Sequence, residues 1–87
     1  MASPHEIKVF RALQNHKGDW MTRADIERAA NVNGRTTRAH LLKLEKSGVV
    51  QRAEMFPSDQ YRLISKPSLA GRAHTAELEN AGKILGI

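Results

Sequence analysis

Cysteine is absent from the chain. Its absence excludes a disulfide framework and thiolate metal sites, and it fits a reducing cytosol. Aromatic residues are scarce: Phe10, Trp20, Phe56 and Tyr61 are all there are. Leu, Ile, Val and Ala must therefore fill most of any core. No apolar run approaches the roughly 20 residues needed to span a bilayer, and the opening MASPHEIKVF lacks the long apolar segment of a signal peptide. A soluble cytoplasmic protein with no membrane association is expected. Catalytic constellations are missing too. There is no Ser-His-Asp order, no Gly-rich phosphate loop and no clustered carboxylate pair. The four histidines, His5, His16, His40 and His74, are dispersed; His74 and Glu77 share a helical i, i+3 spacing, but two ligands make a poor metal site. No enzymatic activity, metal or cofactor is expected.

What is present is one small domain's worth of chain, 87 residues of which 40% are apolar, enough for a thin core. Fourteen Lys and Arg against nine Asp and Glu give a formal charge of +5. Such a balance favours polyanions, chiefly nucleic acid, but also describes a merely basic soluble protein. The distribution of the charges has to decide between them.

Along the chain, Ser3 can cap a helix whose first turn tolerates Pro4. The spacing of Ile7, Phe10 and Leu13, with Val9 and Ala12 beside them, predicts helix over about residues 4 to 16. Gly18 ends it. Thr22 followed by Asp25 is a capping box with Asp in place of Glu, and it opens a short helix to about residue 30 with Ile26, Ala29 and Ala30 on its inner side. Asn31-Val32-Asn33 is a turn with an apolar plug, and Asn33 caps a third helix running to about Ser47. At about 100° per residue, Thr37, Leu41 and Leu44 cluster on one side of that helix. Opposite them fall Arg35, Thr36, Ala39, Lys43 and Lys46, with Arg38 and His40 on the flanks. Gly48 suits the position just past the helix end. VVQRAEM and YRLIS, separated by the turn-rich FPSDQ, read as a β-hairpin. After Pro67, an apolar pattern of Leu69, Ala73, Ala76, Leu78, Ala81, Ile84 and Leu85 permits a last helix, interrupted or frayed at Gly71 and Gly82. Trp20 is expected to cover the core edge between the first two helices, while Phe56 at the hairpin tip either stands exposed as a lone aromatic or packs back on the hairpin beside Pro57.

The expected fold is mainly α with a small β-hairpin. Three helices, the second and third in helix-turn-helix order, precede the hairpin and a C-terminal helix. The stretch MTRADIERAANVNGRTTRAHLLKLEKSGVVQR resembles the winged helix-turn-helix of bacterial transcription regulators, including the MarR-like and IclR-like groups. The likeness is carried by Met21-Thr22 leading into the second helix, by Ile26 and Ala29 inside it, by Leu41, Leu44, Glu45, Lys46, Gly48, Val49 and Val50, and by Arg52. DQYRLIS resembles the returning strand of the wing. The resemblance covers about residues 6 to 64, implying a winged-helix unit over 1–64 and a helical extension over 65–87. Two positions depart from it: Thr37 stands where such proteins usually have Val or Ile, and the wing tip carries Asp59 but no Arg or Lys. The second departure argues against minor-groove contact by this tip.

The resemblance implies double-stranded DNA as partner, with the third helix in the major groove. Arg35, Thr36, Arg38 and Ala39, near its N-terminus, are then candidates for base edges. Lys43 and Lys46 are candidates for phosphates, as are Thr22 and Arg23 at the start of the second helix and Arg52 and Arg62 on the wing strands. A nucleoid-associated repressor, homodimeric through the C-terminal helix, is the simplest regulator of this size. Two other readings stay open. One is a winged-helix module that binds protein instead of DNA, favoured by the acidic, aromatic wing tip. The other is RNA or single-strand binding, which usually needs stacked aromatics that the third helix lacks.

Overall fold

Every helix begins on a side chain that accepts a hydrogen bond from the backbone amide three residues on. The computed structural model describes residues 3–87. In it Ser3 caps α1 (Pro4–Asn15), Thr22 caps α2 (Arg23–Ala30), Asn33 caps α3 (Gly34–Lys46) and Ser68 caps α4 (Leu69–Leu85). At α2 the box is reciprocal: Thr22 Oγ1 accepts from the Asp25 amide at 3.2 Å, and Asp25 Oδ2 accepts from the Thr22 amide at 3.3 Å. Helix ends are equally local. Asn31 takes a left-handed conformation to close α2. Past α3, Gly48 does the same at φ +81°, and the Val49 amide donates back to the Leu44 carbonyl at 3.0 Å.

The stripe read from α1 is the stripe that is buried. Ile7, Val9, Phe10, Ala12 and Leu13 meet Ile26 and Ala30 of α2, Leu41 and Leu44 of α3, and Leu78 and Ala81 of α4 in one core, with Val32 plugging the turn between α2 and α3. Burying side chains of this size contributes about 1.5–3 kcal/mol each before the entropy cost of folding is set against it. Ala29, expected inside, is exposed. A helix of eight residues offers one narrow inner face, and Ile26 and Ala30, four apart, fill it.

The hairpin forms between β2 (Val50–Ala53) and β3 (Gln60–Leu63), in antiparallel register Val50↔Leu63 to Ala53↔Gln60. A further strand, β1 (Met21–Thr22), pairs with the other edge of β3, giving the sheet order β1-β3-β2. Two residues are too few to show an alternating pattern, so β1 is invisible to sequence periodicity.

The C-terminal helix runs unbroken over 17 residues, through both glycines. Gly71 lies against the Gly48 carbonyl, where a Cβ would come to 2.5 Å of the oxygen. It is there for close approach to the end of α3, not as a break. The buried line of α4 is Gly71, Leu78, Ala81 and Gly82; Ala73 and Ala76 face solvent, as do Leu69, Ile84 and Leu85. No helix among the described residues is long and apolar enough to cross a membrane.

Candidate nucleic-acid interface

The α3 face is built by its own back. Thr37, Leu41 and Leu44 are buried, and Thr37 Oγ1 donates to the Val32 carbonyl at 3.3 Å, so the hydroxyl is satisfied where a Val or Ile would have needed no partner. This anchoring leaves Arg35, Arg38, Ala39, Leu42 and Lys46 exposed on the opposite side. Thr36 is half-buried, its amide taken by the Asn33 cap. Among the described residues, neither Arg35, Arg38 nor Lys46 forms a salt bridge with a carboxylate. Leu42, 54% exposed, lies in the middle of this face and was missed in the sequence reading. Helical angle alone would have found it, since Leu42 falls between Arg35 and Arg38 around the axis.

A cleft of about 500 Å³ separates α3 from the start of α2 and the wing. Arg23 and Ala24 form one wall, Arg38 and Leu42 the second, and Arg52 and Tyr61 the third. Thr22 is half-buried at the N-terminal end of α2, its hydroxyl engaged in the capping box, and Arg23 pairs with Glu27 at 3.2 Å on an exposed surface. Exposed pairs of this kind contribute little and are readily exchanged. Burial raises the Tyr61 phenol above its usual pKa, with Asp59 adding to the effect.

The two wing arginines are engaged within the chain. Arg52 is surrounded by carboxylates, with Asp59 at 3.1 Å, Glu45 at 3.2 Å and Glu54 at 3.4 Å. Its hydrogen bonds to Asp59 and Glu45 push its already high pKa further up. Arg62 lies with its guanidinium 4.3 Å from the centre of the Trp20 ring and donates to Gln51 Oε1 at 3.0 Å. Trp20 is accordingly half-buried and outside the core, in contrast to the expectation. Its one face is covered by a cation, a contact worth about 0.5–1 kcal/mol near the surface. Lys43 is likewise drawn inward: its ammonium donates to Glu6 Oε1 of α1 at 3.2 Å. Apart from Glu54, two residues from Arg52, these partners lie far away in sequence or across a turn, which is why residue type and spacing did not disclose them.

The wing tip is acidic and apolar. Phe56 is 99% exposed and does not pack back on the hairpin. Met55 beside it is half exposed. His40 flanks α3, half-buried, and desolvation holds its imidazole below the ordinary histidine range. No group of three or more metal-ligating side chains occurs among the described residues. His74, paired in the sequence reading with Glu77, has Glu6 as its nearer partner at 3.0 Å.

No protein-family model and no curated protein matches the sequence. Solved structures do match. A MarR-family transcriptional regulator from Silicibacter pomeroyi superposes with a TM-score of 0.70 at 23% identity, over 90% of this chain and 50% of that one. BpsR of Bordetella bronchiseptica, whose DNA binding is regulated by 6-hydroxynicotinic acid, matches with a TM-score of 0.73 at 15% identity, over 98% of this chain and 62% of its own. MepR of Staphylococcus aureus, a regulator of the multidrug efflux pump MepA, matches with 0.63 at 21% identity, over 93% and 61%. The present chain thus spans between half and about three fifths of the length of these proteins. At such identities the likeness is one of fold. The architecture is the winged helix-turn-helix of MarR-family regulators, as the sequence resemblance implied.

Proposed function

We propose that the protein is a sequence-specific double-stranded DNA-binding regulator that lays α3 in the major groove. The observation that carries this reading is the α3 face itself, in a fold shared with MarR-family transcription regulators. Arg35, Arg38 and Lys46 stand exposed there around the small Ala39. Arg35 and Arg38, near the N-terminus of the helix, reach base edges and donate bidentately to guanine. Thr36 contacts an adjacent base, and Ala39 keeps the centre of the face low. Lys46 meets a phosphate, and so do Thr22 and Arg23 at the positive end of α2. Leu42 adds an apolar contact of the kind that thymine methyls accept. Arg52 and Arg62, committed to carboxylates and to Trp20, serve mainly to hold the wing in place. Lys43 contributes to phosphate binding only by leaving Glu6.

The chain acts as a homodimer, with the exposed Leu69, Ile84 and Leu85 of α4 as the apolar contact, so that two α3 helices meet two half-sites. It works as a nucleoid-associated cytoplasmic repressor that excludes other proteins from its site, without a chemical reaction of its own.

Fluorescence anisotropy of a labelled duplex against salt tests the reading. The wild type is expected to bind and to weaken steeply as salt rises. Arg35→Ala/Arg38→Ala should lose affinity by at least tenfold while its circular dichroism stays unchanged, an effect of about 1–3 kcal/mol per lost base contact. A double variant that binds as tightly as wild type removes α3 from the interface. Failure of the wild type to bind at low salt favours the second reading, a protein-binding winged helix, for which the fully exposed Phe56 on its acidic tip is the specific observation.

A further inference from the structure

Glu6 is the one ionisable side chain among the described residues that is fully buried, at 0% exposure. It projects from the first turn of α1 and joins two other helices. Oε1 accepts from Lys43 Nζ of α3 at 3.2 Å, and Oε2 meets His74 Nε2 of α4 at 3.0 Å. A buried carboxylate is strongly unfavourable unless it is charge-paired and its oxygens are hydrogen-bonded. Here both oxygens are occupied, yet the two partners differ. Lys43 always brings a positive charge, and its side chain is 59% exposed on the edge of the α3 face. His74 is mostly covered, at 17%, and brings a charge only when protonated.

We propose that Glu6 is a positioning residue for α3 whose cationic partner is exchangeable. When Lys43 turns outward to a DNA phosphate, His74 takes a proton from solvent and becomes the sole counter-charge of Glu6. The proposal rests on the DNA-binding reading above. The balance is simple: one ammonium leaves the carboxylate, one proton adds to the imidazole, and the buried site stays neutral. The surroundings are arranged for it. Glu77 of α4 lies 3.9 Å from His74 Nδ1, the nitrogen that gains the proton when Nε2 already donates to Glu6. The other titratable groups at this junction are His40 of α3 and His5 of α1, and His40 senses both Glu6 and Lys43. DNA binding is then linked to proton uptake, and lower pH strengthens it.

Two measurements test this. The first uses the free protein: nuclear magnetic resonance titration of the imidazoles in wild type and Lys43→Met. Removing Lys43 leaves His74 alone with the carboxylate, so His74 should hold its proton to a higher pH, with the remote His16 unmoved as control. An unchanged His74 titration overturns the exchange. The second is duplex affinity at fixed salt from about pH 8 to about pH 6, the range in which histidine titrates. Wild type should tighten several-fold, up to about tenfold per pH unit for one whole proton. His74→Gln, which keeps a donor for Glu6, should lose most of that dependence, and so should Lys43→Met. A His40→Gln variant should keep it. If His74→Gln retains the wild-type pH profile, the proposal is wrong. If His74 responds to Lys43 in the free protein but wild type binds no duplex at any pH, the DNA-binding reading fails and the exchange on Glu6 stands without it.

Discussion

At the scale of single residues, the short-range chemistry is strongest at Thr22 and Asp25. Hydrogen bonds from the Thr22 side chain and backbone, with Arg28 2.6 Å away, hold the Asp25 carboxyl below its usual pKa. The sign follows from a depressed folded value. The stabilisation is complete above the unfolded carboxylate pKa, about 3.9, and is lost as pH falls through the lower folded value. Thr22→Ala should cost about 1 kcal/mol in urea unfolding at neutral pH. Asp25→Asn should cost less, and its deficit should vanish in acid, where wild-type Asp25 is itself protonated. A deficit that persists at the lowest accessible pH would mean that the carboxylate charge contributes nothing. Thr22 is also a candidate phosphate contact, so loss of this cap is expected to weaken duplex binding as well.

At the scale of elements, the two glycines of α4 look alike in sequence and differ in what they face. A Cβ on Gly71 would lie 2.5 Å from the Gly48 carbonyl oxygen and 3.0 Å from Pro67 Cβ. Neither neighbour can yield without moving the end of α3 or the start of α4. A Cβ on Gly82 would meet Arg11 Nη2 at 3.0 Å, the end of a flexible side chain, and Ile7 Cγ2 at 3.3 Å. In an open helix either change to Ala would gain about 1 kcal/mol in propensity. Gly71→Ala should instead destabilise by about 1–3 kcal/mol through overpacking against backbone, and Gly82→Ala should come out near neutral. Chemical denaturation of both variants checks the order; equal effects would mean that α4 does not approach Gly48 this closely. This junction matters for function, because α4 there touches the residue that ends α3.

At the scale of the molecule, α4 shares one hydrophobic core with the helices that position the interface. Leu78 is fully buried beside Ile7 and Phe10 within that cluster. Although the sequence suggests a winged-helix unit over 1–64 and an extension over 65–87, the two are expected to unfold together. Leu78→Ala should cost about 2–5 kcal/mol and shift one cooperative transition, seen alike by Trp20 fluorescence and by circular dichroism. Two separated transitions would show the extension to be energetically independent. The charge distribution is likewise a property of the whole. A chain of net charge +5 leaves Arg35, Arg38 and Lys46 of α3 without a carboxylate partner and surrounds Arg52 of the wing with carboxylates.

The sequence alone determined the first three helices with their caps, the buried stripes of α1 and α3, the hairpin and the winged-helix order, but not the start, cap or continuity of α4. These depend on neighbours three or four residues apart, or on a residue's own backbone preference, and such information is written contiguously. It also marked Arg35, Thr36, Ala39, Lys43 and Lys46 as the outward face of α3, with Arg38 on its flank. Tertiary structure alone decided which cations stay free, that β1 joins the sheet, that Trp20 serves Arg62 and not the core, and that the α4 glycines are contacts and not breaks. Lys43 and Glu6 are 37 residues apart, and His74 and Glu6 are 68 apart. Pairs so distant are set by how finished elements pack, and nothing in local spacing encodes them.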